Sequence, residues 1–224
     1  MALILNLETA TTNCSVSLSK NGETIALKED NDKSYSHAER LHVYIDDVLK
    51  QANIDSSELD AIAVSKGPGS YTGLRIGVSA AKGLCFALEK PLISIPTLAS
   101  LSHQVKIDNG IIVSMLDARR MEVYSAIYDS DYKEIRDTQA QILDATSFKD
   151  YLEKGKVYFI GNGVDKTKNL ITHSNAIFIE GRLPSAKEMS LLTYIKYKAK
   201  NFEDVAYFEP YYLKDFVALK PKSK

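Results

Sequence analysis

The chain has 224 residues, of which 45% are hydrophobic and 25% charged, and its formal net charge is −1. That is enough apolar mass for one large domain or two of about 100 residues each, and it excludes a disordered chain. With Lys and Arg scattered along it, the chain lacks the basic footprint needed to neutralise several phosphates unaided, so a nucleic-acid role calls for grip from another subunit.

In chain order, Leu3 to Leu7 is a short apolar run, Cys14 to Leu18 alternates, and Glu23 to Lys28 follows the turn Asn21-Gly22. These predict three antiparallel strands. Ser36 stands three residues before Glu39 in the form of a capping box, and Ala38, Leu41, Ile45, Val48, Leu49 and Ala52 recur at helical spacing, which predicts a helix over 36–52. Ala61 to Ser65 reads as a buried strand, a glycine-rich loop follows, a helix runs from about Tyr71 to Leu88, and Pro91 to Ile95 is another strand. From Gly110 the order begins again. Strands are predicted at Ile111–Leu116, Glu122–Tyr128 and Lys133–Asp137, a helix at about Ser147–Leu152, a strand at Lys156–Ile160, then a Gly161-Asn162-Gly163 loop and further helices. Three strands followed by alternating helix and strand describe a mixed sheet with a helical layer. Seen twice, they predict an α/β protein of two lobes, residues 1–103 and 104–224, repeated in element order and not in sequence.

The stretch "KGPGSYTGLRIGVSAAKGL", Lys66 to Leu84, has the setting of an anion site, a glycine turn between strand and helix. Its letters fit poorly. No Gly-Lys-Ser/Thr follows Gly67 or Gly69 in Walker register, the spacing of Gly67, Gly69 and Gly73 is one residue too long for a dinucleotide fingerprint, and Pro68 removes a donor. Gly67 and Gly69 are therefore weak candidates for cofactor binding beside a plainer reading, a tight turn that starts the helix close to the sheet. Along that helix Gly73, Gly77, Ala80 and Leu84 form one stripe, and Leu74, Val78, Ala81, Cys85 and Leu88 the next. An interior Gly costs roughly 1 kcal/mol against Ala, so Gly73 and Gly77 imply close approach of another backbone. That backbone is either the chain's own or a partner's helix.

Other constellations are mostly negative. His37 and His42 lie about 140° apart around a helix and cannot share an ion. Cys14 and Cys85 fit neither a metal site nor a disulfide framework and suit a reducing compartment. Ser70 or Thr72 is explained as the capping hydroxyl at the helix N-terminus. The turn after Glu8, "TATTN", carries no glycine of the kind a phosphate-handling hairpin uses. Asp117 and Arg119 bracket a turn, read as a turn salt bridge, with Glu122 on the following strand. The tail "LKPKSK" reads as a solvated end. No run approaches the roughly 20 apolar residues of a membrane span, and the N-terminus lacks a basic n-region, so the expected location is cytoplasmic, with no membrane role.

Taken together, "ILNLETATTNCSVSL", "SHAERL", the glycine stretch, "LDARRMEVYSA", "GNGV" and "PYYLKD" resemble the bacterial TsaB (YeaZ) family of tRNA threonylcarbamoyladenosine biosynthesis proteins. The resemblance implies a two-lobed actin-like ATPase fold of the sugar kinase and Hsp70 type. It implies a non-catalytic scaffold or activator that binds a TsaD-type catalytic subunit and, through the complex, a TsaE-type ATPase, touching tRNA only indirectly. It also places the partner surface on the first two helices, with His37, Leu41, Tyr44, Gly73, Leu74, Gly77, Val78, Ala80 and Ala81 as candidates. The metal-binding His-x-x-x-His of the catalytic relatives is replaced here by "SIPTLASLSHQ", so no metal, cofactor or catalytic residue is expected. Glu8 stands where the family commonly has Asp. The rival readings are an enzyme of the same superfamily, a small-molecule kinase or a glycoprotease-like metallopeptidase, and a homodimer when the chain is alone.

Overall fold

The computed structural model describes residues 1–31 and 37–214. The Ser36 cap, Asp215 of "PYYLKD" and the tail "LKPKSK" lie outside the described residues.

The first sheet is built from β1 (Leu3–Glu8), β2 (Asn13–Lys20), β3 (Glu23–Asn31), β4 (Ala61–Gly67) and β5 (Leu92–Pro96) in the spatial order β3-β2-β1-β4-β5. The second is built from β6 (Ile111–Asp117), β7 (Glu122–Tyr128), β8 (Glu134–Ile142), β9 (Val157–Ile160) and β10 (Ala176–Ile179), ordered β10-β9-β6-β7-β8. Read from the other edge, the two orders are the same. In each, three antiparallel strands are extended by two parallel ones. This is the duplicated actin-like architecture. The fourth strand of each sheet runs into a glycine with φ of +110°, Gly67 in one and Gly161 in the other. The strand β10 was not expected, because four half-buried residues carry too little periodicity to be told from a loop.

Strand alternation sorts side chains onto the two faces of the first sheet. Leu5, Leu7, Cys14, Val16, Leu18, Ile62 and Val64 face α1 (His37–Ala52) and α2 (Tyr71–Leu88). Ile4, Ala61, Ala63, Ile93 and Ile95 face the other way, against Ala186 and Met189 of the last helix. Ser70 caps α2, its Oγ accepting from the Gly73 N–H at 3.3 Å. Behind the second sheet lie two short helices, α4 (Lys149–Leu152) and α5 (Val164–Thr167). Between the sheets runs α3 (Thr97–Ser102), with Leu98 and Leu101 in the core of the second. Among the described residues no helix is long and apolar enough to cross a membrane. Cys14 and Cys85 are free and buried, and burial pushes their thiols up to about 11 and about 12.

The later part of the chain returns to the first sheet. The final helix α6 (Ala186–Lys198) covers the first sheet, where Ser17 Oγ donates to Ala186 C=O (2.8 Å) and Ser15 Oγ accepts from Ala186 N–H (3.0 Å). After it the chain runs back along α2, whose Lys82 Nζ donates to the carbonyls of Ala206 and Phe208. The physical reason is the polar stripe of Ser15, Ser17 and Ser19, fully buried and satisfied by this helix and by Asn6.

Candidate functional site

Two surfaces meet at α2. The first is the cleft between the lobes, a space of about 810 Å³ into which the β1–β2 turn, the glycine loop and the β6–β7 turn project. Glu8 ends β1, and Asp117 ends β6 at the equivalent position of the duplicated order. Both glycine-loop candidates are explained by close packing. A Cβ on Gly69 would meet the Ala10 carbonyl oxygen at 2.5 Å, and one on Gly67 the Tyr211 carbonyl oxygen at 2.8 Å. Three of the loop's backbone donors are spent inside the chain. Ser70 N–H goes to Ala10 C=O (2.7 Å), Gly67 N–H to Thr97 Oγ1 (3.1 Å) and Gly73 N–H to Ser70 Oγ. On the facing turn Ala10 N–H goes to Glu8 Oε1 (2.6 Å) and Asn13 N–H to Thr11 Oγ1 (3.3 Å). Gly67, Ser70, Gly73, Ala10 and Asn13 therefore have no free N–H to offer a phosphate.

Glu8 is wholly buried at the end of β1, and its Oε2 finds no well-formed hydrogen bond. Desolvation outweighs the help from the Ala10 N–H, the Ser65 hydroxyl and the Thr9 N–H, and pushes its pKa up to about 7. Among the described residues no three His, Cys, Asp or Glu side chains gather as a metal would require.

The cleft mouth is crossed by the chain's own later segment. Tyr211 N–H donates to Lys66 C=O (2.7 Å), the Tyr212 ring stacks obliquely on Tyr71 (centroids 4.9 Å apart), and Lys214 pairs with Glu122 on the second lobe. The expected turn salt bridge between Asp117 and Arg119 is not formed. Asp117 pairs instead with Lys166 of α5 (2.9 Å) and accepts the Arg119 backbone N–H (2.6 Å).

The second surface is the groove between α1 and α2, and here the structure corrects the sequence. The backbone that Gly73 and Gly77 admit is the chain's own. A Cβ on Gly73 would run into the Thr9 carbonyl oxygen and one on Gly77 into Thr9 Oγ1, both closer than real Cβ contacts come. The remaining candidates are mostly turned inward as well. Leu41, Tyr44, Val78 and Ala81 belong to the first sheet's core, Leu74 is buried, and His37 is buried with Nε2 against the Thr11 carbonyl oxygen at 2.7 Å. Burial holds the His37 imidazole below its usual range. Only Ala80 reaches the groove, whose other walls are Ala38, His42, Arg75, Ile76, Ser79, Gly83 and Leu84. Phe86, 84% exposed, continues the Ser79 and Gly83 stripe. The signal that could have found Gly83 is its place outside both apolar stripes: among the described residues nothing comes within 4 Å of a Cβ there.

The family model described as TsaD, tRNA N6-adenosine threonylcarbamoyltransferase, matches residues 31–222. The chain is 30% identical over 226 aligned residues to the tRNA threonylcarbamoyladenosine biosynthesis protein TsaB of Escherichia coli (strain K12), covering 97% of this chain and 96% of that one. A shorter match, 47% over 66 residues, is to the tRNA N6-adenosine threonylcarbamoyltransferase of Anoxybacillus flavithermus (strain DSM 21510 / WK1), covering 30% of this chain and 19% of the relative. The solved structure of YeaZ from Pseudomonas aeruginosa superposes with a TM-score of 0.80 at 26% identity, covering 95% of this chain and all of that one.

Proposed function

The chain belongs to the TsaB (YeaZ) family of tRNA threonylcarbamoyladenosine biosynthesis proteins, and on that footing we propose that it serves this tRNA modification as a non-catalytic subunit. It docks through the α1–α2 groove on a catalytic subunit of the tRNA N6-adenosine threonylcarbamoyltransferase kind, with a TsaE-type ATPase joining the pair. The observation that carries the reading is the groove itself. Small residues, Ala38, Ser79, Ala80 and Gly83, floor a shallow apolar channel between two helices, and Phe86 stands unburied beside it. A floor of small residues admits a partner helix close to the backbone, and an exposed aromatic is the usual anchor of such a contact. The spent donors of the glycine loop support a scaffold over a kinase of the same fold.

Gly83→Arg tests this on the full chain. Among the described residues nothing lies within 4 Å of a Cβ at this exposed position, and the change removes a helix-weakening glycine, so the fold is expected to be retained. Titration calorimetry against the purified catalytic subunit is expected to show at least tenfold weaker association and a matching loss of tRNA modification. Unchanged association would place the interface elsewhere.

A further inference from the structure

Docking through the groove leaves the β6–β7 turn unexplained, and that turn is held in a costly shape. Arg119 has φ of 69° and Arg120 of 48°, two successive residues in the left-handed region that Asn and Gly enter more readily than arginine. Its surroundings over-determine the conformation. Lys166 Nζ donates to Asp117 Oδ1 (2.9 Å), to the Arg120 carbonyl (2.6 Å) and to the Glu122 carbonyl (3.1 Å). Asn162 Oδ1 accepts the Asp117 N–H (2.8 Å), and Asp117 Oδ1 the Arg119 N–H (2.6 Å).

What this brace holds out is a pair of guanidinium groups. Both arginines are exposed, and among the described residues neither forms an ion pair. The two carboxylates beside them are already neutralised, Asp117 by Lys166 and Glu122 by Lys214. On the opposite wall stand Tyr71 and Tyr212, and Arg75, at the edge shared with the α1–α2 groove, lies over the Tyr71 ring, 4.2 Å from its centroid, and donates from Nε to the Tyr212 hydroxyl (3.2 Å). Tyr71, Tyr124, Tyr211 and Tyr212 line the same cleft as Arg119 and Lys214. Cations on both walls interleaved with aromatic rings match single-stranded nucleic acid, with charge for the backbone and ring faces for the bases.

We propose that the mouth of the cleft, from Arg75 across to Arg119 and Arg120, binds an unpaired stretch of RNA, in the working assembly the tRNA that is modified. The inference rests on the proposed role in tRNA modification and replaces the expectation that this chain touches tRNA only indirectly. A net charge of −1 limits the patch to a local share of the grip, with the catalytic subunit supplying the rest.

The test is fluorescence anisotropy with a labelled, unmodified tRNA transcript, on the full chain alone and on its complex with the catalytic subunit. Arg119→Asn combined with Arg120→Gly removes both charges and puts in residues that suit the left-handed backbone. Its melting temperature is expected to rise by about 2–4 °C. RNA affinity of the complex is expected to fall at least tenfold, and the slope of log affinity against log salt to shrink by about 1.4, as for two lost single-strand phosphate contacts. Tyr124→Leu, which lines the cleft and lies outside the α1–α2 groove, is expected to weaken RNA binding as well. Affinity and slope equal to wild type in both variants overturn the proposal, as does a wild-type complex that binds no RNA. It is also overturned if the double variant loses the catalytic subunit while the chain alone keeps its RNA affinity, since the turn would then be a protein-docking element. Complex formation is followed separately by light scattering. Its failure counts against the groove reading, while the RNA isotherm of the chain alone still decides this one.

Discussion

Thr9 Oγ1 donates a 2.8 Å hydrogen bond to the carbonyl oxygen of Gly73, one turn inside helix α2, from the end of the first strand. The contact is possible only because α2 presents no side chain there. Gly73 lies against the Thr9 backbone carbonyl, and Gly77, one turn on, against the Thr9 hydroxyl. A helix that ought to be weakened by its glycines is instead seated on the strand by them.

A graded series of Gly→Ala substitutions follows from what each Cβ would meet. Gly73→Ala is expected to cost most, about 3 kcal/mol, because the backbone carbonyl of Thr9 has to move. Gly77→Ala is expected to cost about 1–2 kcal/mol after the gain in helix propensity, and to recover most of that in a Thr9→Ala background. Gly83→Ala, with open space around it, is expected to stabilise by about 1 kcal/mol. Urea unfolding of the three variants checks the order, and equal effects at Gly73 and Gly83 would refute the packing argument.

The buried carboxyl of Glu8 makes stability depend on pH in a stated direction. Its folded pKa of about 7 lies above the 4.5 of an ordinary glutamate carboxyl. The native state therefore holds the proton more tightly than the unfolded chain, and the contribution is complete below pH 4.5 and is lost as pH rises through 7. The loss amounts to about 3 kcal/mol at most. Glu8→Gln, neutral at every pH, is expected to flatten the stability profile between pH 5 and 8. A wild-type profile that rises over that window would contradict the burial-driven shift.

Alone, the chain leaves the α1–α2 face without a partner, so self-association is expected to use it. Phe86→Asp, at an 84% exposed position, is expected to shift light-scattering mass toward the monomer with little effect on melting temperature. A variant that stays as associated as wild type would locate self-pairing on another face.

The segment that crosses the cleft is expected to protect the glycine loop. Tyr212→Ala removes a ring from Tyr71 and a hydroxyl from Arg75. It is expected to cost about 1–2 kcal/mol and to speed amide exchange in residues 66–72. Exchange that speeds everywhere equally would mean global destabilisation and not an opened cleft.

Local pattern was enough for most elements. Alternation in Cys14 to Leu18, helical recurrence from Leu41 to Ala52 and the capping hydroxyl of Ser70 are set by neighbours a few residues apart, and each element appears where its pattern lies. The same letters also placed the chain in its family. What they left open was the identity of distant neighbours. Two helix glycines announce that something comes close, but only the folded chain shows that it is Thr9, 64 residues away, and not a partner's helix. The serine face of β2 reads as solvated until α6 returns to cover it from 170 residues on. Periodicity reports which face of an element is buried, since that depends on side-chain spacing alone. Which surface buries it depends on the path of the whole chain, and that is why the proposed docking face lies at Gly83 and not at Gly77.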